Sequence, residues 1–477
     1  MENVFEALSE PGEWYLDRSA GKLYYIPRKG ETPETVNTVI PRTYQWLRVT
    51  GGLLRFRNLT FRYTDWDRVP GLPLWCDPYR PRSQWRRKDS WKHFIENNGT
   101  DPETVYATVP QGAIHLPGSI FFEGARDCSV ENCVIEHAGH YAVDIGEGCA
   151  RLRLTGNVIR DFGAGGIKAD GGDHTAPAER RTGNIIITDN HIHNGGRIAG
   201  ASGGIILVHS FSNLVAHNEI HDLYYTGISC GWVWGYDESV SRNNRIEKNH
   251  IYDLGKGVLN DMGGIYLLGI QPGTVVRGNV IHDVEKANYG GSGIYLDEGS
   301  SHITVEENLA YNVSSSPFTQ HYGNENIIRN NIFAFGSEEQ VSLGRGPSHQ
   351  GGTAKYAFSL VRNIILARDE LIIGYGILDS SPPLRDLPWF SAGNLFWSLS
   401  GKQPVFRQGN RENPAARKDL QELQQTGQDI SSRAADPKFR DPLNGDFTLP
   451  GDSPALGLGF IPFNLSDAGP RKNSGQD

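Results

Sequence analysis

An asparagine followed by a short apolar run recurs through this chain at steps no helical repeat produces. The clearest copies are NHIYDLGKGVLNDMGGIYLLG from Asn249, NVIHDVEKANYGGSGIYLDEG from Asn279, NLAYNVSSSPFTQHYG from Asn308 and NIFAFGSEEQVSLGR from Asn331, with steps of 30, 29 and 23 residues. Further openings at Asn132, Asn157, Asn190, Asn218, Asn363 and Asn394 keep every step between 23 and 33 residues. Each copy joins two short strand-like runs through glycine or polar residues. A unit this small cannot bury its apolar face alone, but a stack of such units can. The pattern predicts an all-β solenoid of stacked coils of parallel strands. An asparagine that returns in every coil reads as part of the scaffold, its amide serving backbone groups left unpaired at the bends. The same holds for His221-Asp222, Tyr252-Asp253 and His282-Asp283.

In chain order, residues 1–63 read as N-terminal strands. Glu13–Asp17 and Lys22–Pro27 form a hairpin, and Phe56–Phe61 is the first recognisable coil. Residues 64–112 break the repeat with an irregular, aromatic-rich insert that fits a packed lid, in which Trp66, Trp75, Trp85 and Trp91 could face a ligand or pack the insert down. Residues 113–400 carry the β-helix. Residues 401–477 turn polar, with a helix expected over Asp419–Gln424, and form a small cap over the last coil. The tail from Asp467 is expected to be disordered.

Composition supports and bounds this reading. With 57 glycines, 2 methionines and 10% aromatics, the chain suits tight turns between short strands. A formal net charge of −9 argues against a nucleic-acid groove. No apolar run reaches membrane length. The five cysteines, Cys76, Cys128, Cys133, Cys149 and Cys230, form no CxxC pair and read as buried small residues, with a disulfide as the alternative. No signal peptide is visible at Met1.

A Gly-Ile step aligns the coils at Gly166-Ile167, Gly204-Ile205, Gly227-Ile228, Gly264-Ile265 and Gly293-Ile294, with Pro317-Phe318 next. Alternation then sends Lys168, Ile206, Ser229, Tyr266, Tyr295 and Thr319 outward in one column, and Asp170, Val208, Gly231, Leu268, Asp297 and His321 in another. His209, Trp232, Glu298 and Tyr322 fill a third. Asp297 therefore neighbours His321, and Asp261 lies at the mouth of the same sheet. Trp232, Trp234 and Tyr236 lie one coil away. Paired carboxylates beside flat aromatic faces are what glycosidic cleavage requires. The candidate catalytic residues are Asp261 and Asp297, with Glu298 in reserve. Candidate substrate-binding residues are His321, Trp232, Trp234, Tyr236, His209, Tyr266, Tyr295 and Gln320. Each also has a plainer reading: a turn at Asp297-Glu298, a bend cap at Asp261, coil packing for the tryptophans. In a straight strand Asp261 and Asp297 would stand over ~20 Å apart, so they meet only if Gly263-Gly264 bends the chain. The chemistry requires no metal or other cofactor.

These segments, with Glu13–Asp17, Gly21–Pro27, Asp222–Ser229, Asp261–Tyr266, Gly293–Ser301 and Gln320–Gly323, resemble right-handed parallel β-helix carbohydrate enzymes. The likeness is to glycoside hydrolase family 141 and, more distantly, to family 120 β-xylosidases. It implies a right-handed β-helix, a glycosidase acting on xylan- or fucose-containing glycans, a carbohydrate as the sole partner, a monomer, and secretion or a periplasmic location in a full-length form. It also implies further coils and a secretion signal ahead of Glu13, so the first strands are expected to expose apolar surface. Two rivals remain. One is a polysaccharide lyase with Lys168 as base beside Asp170 and Asp173, commonly with Ca²⁺. The other is a non-catalytic, carbohydrate-binding β-helix.

Overall fold

The computed structural model describes residues 4–17, 19–66, 111–344, 356–370, 372–375, 389–408 and 416–471. Cys76, Trp75, Trp85 and Trp91 lie outside the described residues. The chain divides into two compact units, Met1–Pro41 and Arg42–Asp477. In the first, Trp14–Asp17 and Lys22–Tyr25 pair antiparallel as the expected hairpin. The Phe5 ring packs edge-on against Tyr15 and Tyr24.

The second unit is a solenoid. Its described residues form three long sheets of 13, 12 and 11 strands, stacked coil on coil. The 13-stranded front sheet includes Met262–Leu267, Gly291–Leu296 and Phe318–Gln320. The 12-stranded side sheet includes His191–Gly195, Glu219–Leu223, His250–Leu254 and Val280–Val284. The 11-stranded back sheet includes Ser301–Glu306. One coil precedes the insert: Leu47–Val49, Arg55–Arg57 and Thr60–Arg62 pair in parallel with strands of the coil that follows it. On that coil Leu53, Leu54 and Leu59 are exposed.

The asparagine column forms a continuous hydrogen-bonded ladder inside the solenoid. Asn249 Nδ2 and its backbone N–H both donate to Asn279 Oδ1, and Asn279 repeats this onto Asn308. The same pair of bonds recurs from Asn157 to Asn394. Buried amides stay cheap because each donor and acceptor is satisfied by the next coil. At the last rung, Asn394 Nδ2 donates to Asp429 Oδ1 and its backbone N–H to Ser432 Oγ. Burial raises the Asp429 carboxyl above its usual range. Asn132 is a correction. It is exposed, and Cys133 holds the ladder position, donating its backbone N–H to Asn157 Oδ1. Asn132 instead has a left-handed backbone, as do Asp189, His217 and Lys248 at the same place in later coils. Asp222, Asp253 and Asp283 form a second left-handed column, a conformation Asp tolerates better than most residues. That accounts for the recurring His-Asp and Tyr-Asp pairs.

Inward-facing residues of the front sheet stack as Ile205, Ile228, Ile265, Ile294 and Phe318, all fully buried. Each such side chain is worth about 1.5–3 kcal/mol. Cys128, Cys133, Cys149 and Cys230 are free and buried, and burial pushes the Cys149 and Cys230 thiols up to about 12.

The C-terminal region does two separate things. The helix Leu420–Gln424, with Asp419 and Glu422 in a reciprocal capping box, puts Leu423 into the core. Beyond it the chain leaves the end and lies along the outside of the side sheet. Phe447, Ala455 and Phe460 pack there on Leu309, Ile332, Phe335, Ile364 and Leu395. Further back, Ile461 exchanges two hydrogen bonds with Asn330. Gly469 donates to the Lys248 carbonyl, and Arg471 Nε donates to Asp189 Oδ1 at 2.8 Å. The expected disorder from Asp467 is therefore corrected as far as Arg471, because these coil surfaces offer it partners.

Candidate active site

The site is built where three front-sheet strands end. In the parallel register Tyr266 lies beside Tyr295 and Tyr295 beside Thr319, while Leu267, Leu296 and Gln320 align inward. This is the column alignment expected from the Gly-Ile steps. Pairing continues one residue further, where Asp297 N–H donates to the Leu267 carbonyl and His321 N–H to that of Leu296. Side chains of adjacent coils are thus held in contact by the backbone. His321 Nδ1 lies 2.8 Å from Asp297 Oδ1, and the Tyr266 hydroxyl donates to Asp297 Oδ2. Asp297 is only 5% exposed, yet both its oxygens are engaged.

Asp261 enters from the start of Met262–Leu267, with a left-handed backbone. The straight-strand count would keep it far from Asp297. The chain bends instead: a Cβ added to Gly263 would lie 2.9 Å from the Ile265 carbonyl oxygen and 3.2 Å from the Tyr295 Cβ. A hydrogen-bonded chain then spans the bend. Tyr225 donates its hydroxyl to the Asp261 carbonyl at 2.6 Å. Gln111 Nε2 donates to the hydroxyls of both Tyr225 (2.7 Å) and Tyr266 (3.2 Å). Tyr266 completes the path to Asp297.

Asp261 feels the charge of Asp297. Burial, then the negative charge of Asp297, with Glu298 adding to it, pushes the Asp261 carboxyl up to about 7, while His321 opposes the shift. For His321, burial favours the neutral ring, but its hydrogen bond to Asp297 and the surrounding carboxylates outweigh this and raise it. Burial and the same carboxylates lift the phenols of Tyr266 and Tyr295, so both remain neutral donors. Glu298 accepts from the Tyr322 hydroxyl at 2.9 Å, and Tyr322 meets Tyr236 edge-on at 5.7 Å. Tyr289, exposed on the rim, is raised by burial and by Asp261 and Asp297.

Asp261, Asp297, Glu298, His321, Tyr266, Tyr295 and Tyr236 thus gather in one region, with Trp234 partly buried against Trp232. Five expectations need correction. Tyr266 is 1% exposed and hydrogen-bonded to Asp297 and Gln111, so it positions Asp297 and does not line a sugar subsite. Trp232 is 1% exposed and packs among Ile206, Val208 and Leu268 beneath Gly112, so it joins coil to coil. Gln320 is 1% exposed and faces inward, its Oε1 accepting from Asn326 Nδ2. His209 is 3% exposed, with Nδ1 3.2 Å from Asp170 Oδ1. Lys168 is fully buried, its Nζ donating to the Ile114 carbonyl at 2.6 Å and also to that of Leu116. It is not placed to act as a lyase base. Trp66, at the described edge of the insert, rests 5.2 Å from the His140 ring. Sequence reasoning missed Tyr225, Gln111 and Tyr289. Tyr225 falls two residues before a Gly-Ile step, but nothing in the repeat marks Gln111.

The sequence matches the family model described as right handed beta helix region, over residues 118–263 and 241–354. No curated protein matches it in sequence. Among solved structures, a glycoside hydrolase aligns with a TM-score of 0.51 at 20% identity, over 72% of this chain and 56% of that one. The complex of XylC with xylose aligns with a TM-score of 0.39 at 14% identity, over 68% and 50%. A family 6 polysaccharide lyase from Pseudopedobacter saltans aligns with 0.43 at 14%, over 75% and 87%. The chain spans only about half the length of the first two. With its three stacked parallel sheets and its match to that family model, the chain is a right-handed parallel β-helix.

Proposed function

We propose that this protein is a glycoside hydrolase in which Asp261 is the general acid and Asp297 its anionic partner. The observation that carries the reading is the unlike surroundings of two neighbouring carboxyl groups, Asp261 raised by burial and by the charge of Asp297, and Asp297 held by Tyr266 and His321. Environments that keep one carboxyl protonated near neutral pH and present the other to several donors define an acid and a base or nucleophile. Asp261, held near 7, can protonate the leaving glycosidic oxygen. Asp297, gripped by Tyr266 and His321, attacks the anomeric carbon or activates a water. Tyr289, Tyr236 and Trp234 supply aromatic faces for sugar rings, and Glu298 with Tyr322 shapes the wall. The resemblance to families with xylan and fucose substrates makes xylosides and fucosides the first compounds to try.

The test uses aryl glycosides with good and poor leaving groups, alongside plant polysaccharides. Asp261→Asn should lower kcat/KM by about 10²–10⁴ on poor leaving groups and far less on dinitrophenyl glycosides, which need no proton. Asp297→Asn should abolish turnover of both. Near wild-type activity of both variants on a confirmed substrate would sink the assignment. Ultraviolet-absorbing unsaturated products would show elimination instead of hydrolysis.

A further inference from the structure

The outer face of the side sheet carries a second cluster of functional groups, unrelated to the aspartates. In the parallel register His191 lies beside Glu219 and His193 beside His221. His193 and His221 stack with ring centroids 5.0 Å apart at 5°, and the stack continues through Tyr252 and His282 to Tyr311. Stacking alone would satisfy these rings. What it does not account for is the direction of their nitrogens. His191 Nε2 points across the coil step at His221 Nε2, 2.8 Å away. Ligand atoms of His191, His193 and His221 all lie within 4.8 Å of one another, the one such group of three among the described residues.

We propose that His191, His193 and His221, with Glu219 as the fourth ligand, bind one divalent transition cation of the zinc class. An ion about 2.0–2.1 Å from each imidazole nitrogen needs those nitrogens roughly 3.4 Å apart; the ligand atoms already lie within 4.8 Å of one another, and the half-buried, stacked rings must turn out of parallel to aim their lone pairs at one ion. Glu219 is set for the fourth position. Its Oε1 accepts from the Tyr252 hydroxyl at 2.9 Å, and its Oε2 lies 3.8 Å from His191 Nε2. A phenol that orients a ligating carboxylate is the usual kind of outer support for a metal site. Nearby cations are already engaged: Arg160, one coil before His193, is held by Glu136, and Asp222 takes Arg197 and Lys256. Three imidazoles and one carboxylate favour Zn²⁺, Ni²⁺ or Cu²⁺ over Ca²⁺ and Mg²⁺. The next pair along the column, His250 and His282, has its Nε2 atoms 3.0 Å apart but Tyr252 in the place of His193 and Val280 in the place of Glu219. Because the group lies on the side sheet, the ion would pin two coils together and take no part in chemistry at Asp297.

The full chain, carrying no polyhistidine tag, is titrated with Co²⁺ and read by visible d–d absorption. One equivalent should give the spectrum of four-coordinate cobalt, displaced by one equivalent of Zn²⁺ and not by a hundredfold excess of Ca²⁺. Zn²⁺ should also raise the melting temperature. His191→Ala and His221→Ala should lose the band, whereas His250→Ala keeps it. His221→Phe preserves the ring stack and so separates loss of a ligand from loss of packing; it too should lose the band. No saturable band in the wild-type chain, or a band that survives His221→Phe, would overturn the proposal.

Discussion

At the scale of single residues, the informative groups are those whose protons are held against habit. The Asp261 carboxyl is raised on folding from an ordinary value near 4 to about 7. A carboxyl raised this way stabilises the fold fully at low pH, and that contribution is lost as pH rises through about 7. Asp261→Asn cannot ionise. Its melting temperature should therefore gain on that of the wild type between about pH 4 and 7 and stay above it beyond, as paired thermal melts across pH would show. Activity should fall along a basic limb near pH 7. A flat difference across that range would remove Asp261 from its protonated role. The contact between Asp297 and His321 was legible in the sequence because one alignment of Gly-Ile steps fixes both residues. Gln320, two residues after Phe318, is turned inward by the same alternation that sends His321 out, whereas Trp232 and His209 were misplaced for another reason. Alternation gives the parity of a side chain, but not whether a neighbouring segment covers it or where a turn redirects it.

At the scale of elements, the site depends on a bend that the count of residues calls for but does not itself establish. Gly263 folds Met262–Leu267 over so that Asp261 comes under the influence of Asp297. Gly263→Ala would force a Cβ to within 2.9 Å of a backbone oxygen, and the strand must open to relieve it. The expected result is a tenfold or greater loss in kcat/KM with the basic limb moved down toward the ordinary carboxyl range, measured as a pH–rate profile. An unchanged profile would mean that the bend does not set the acid. The asparagine ladder, by contrast, was readable from spacing alone, since one polar residue returning every 23–33 positions fits a stack of coils and little else. Asn279→Ala removes the acceptor for Asn249 and the donor to Asn308. At ~1–3 kcal/mol for each buried group left unpaired, it should cost about 2–6 kcal/mol by denaturant melts, with no change in the pH profile.

At the scale of the whole molecule, a solenoid is a line of neighbours in which each coil touches only the next. Such a line can come apart from its end, coil by coil. Here the C-terminal segment makes that difficult. After capping the last coil it returns along the side sheet, touching Asn330, Lys248 and Asp189 in successively earlier coils. It lies lengthwise across the stack like the bolt through a set of plates. The consequence is mechanical. Pulled from its two ends in a force-extension experiment, the molecule should first release the segment from Arg471 back toward Phe439 in one small step, and only then surrender its coils. Severing the anchor with Arg471→Ala and Asn330→Ala should lower the force of that first step and let single-coil steps appear earlier in the trace. If the variant and the parent trace the same curve, the returning segment carries no load.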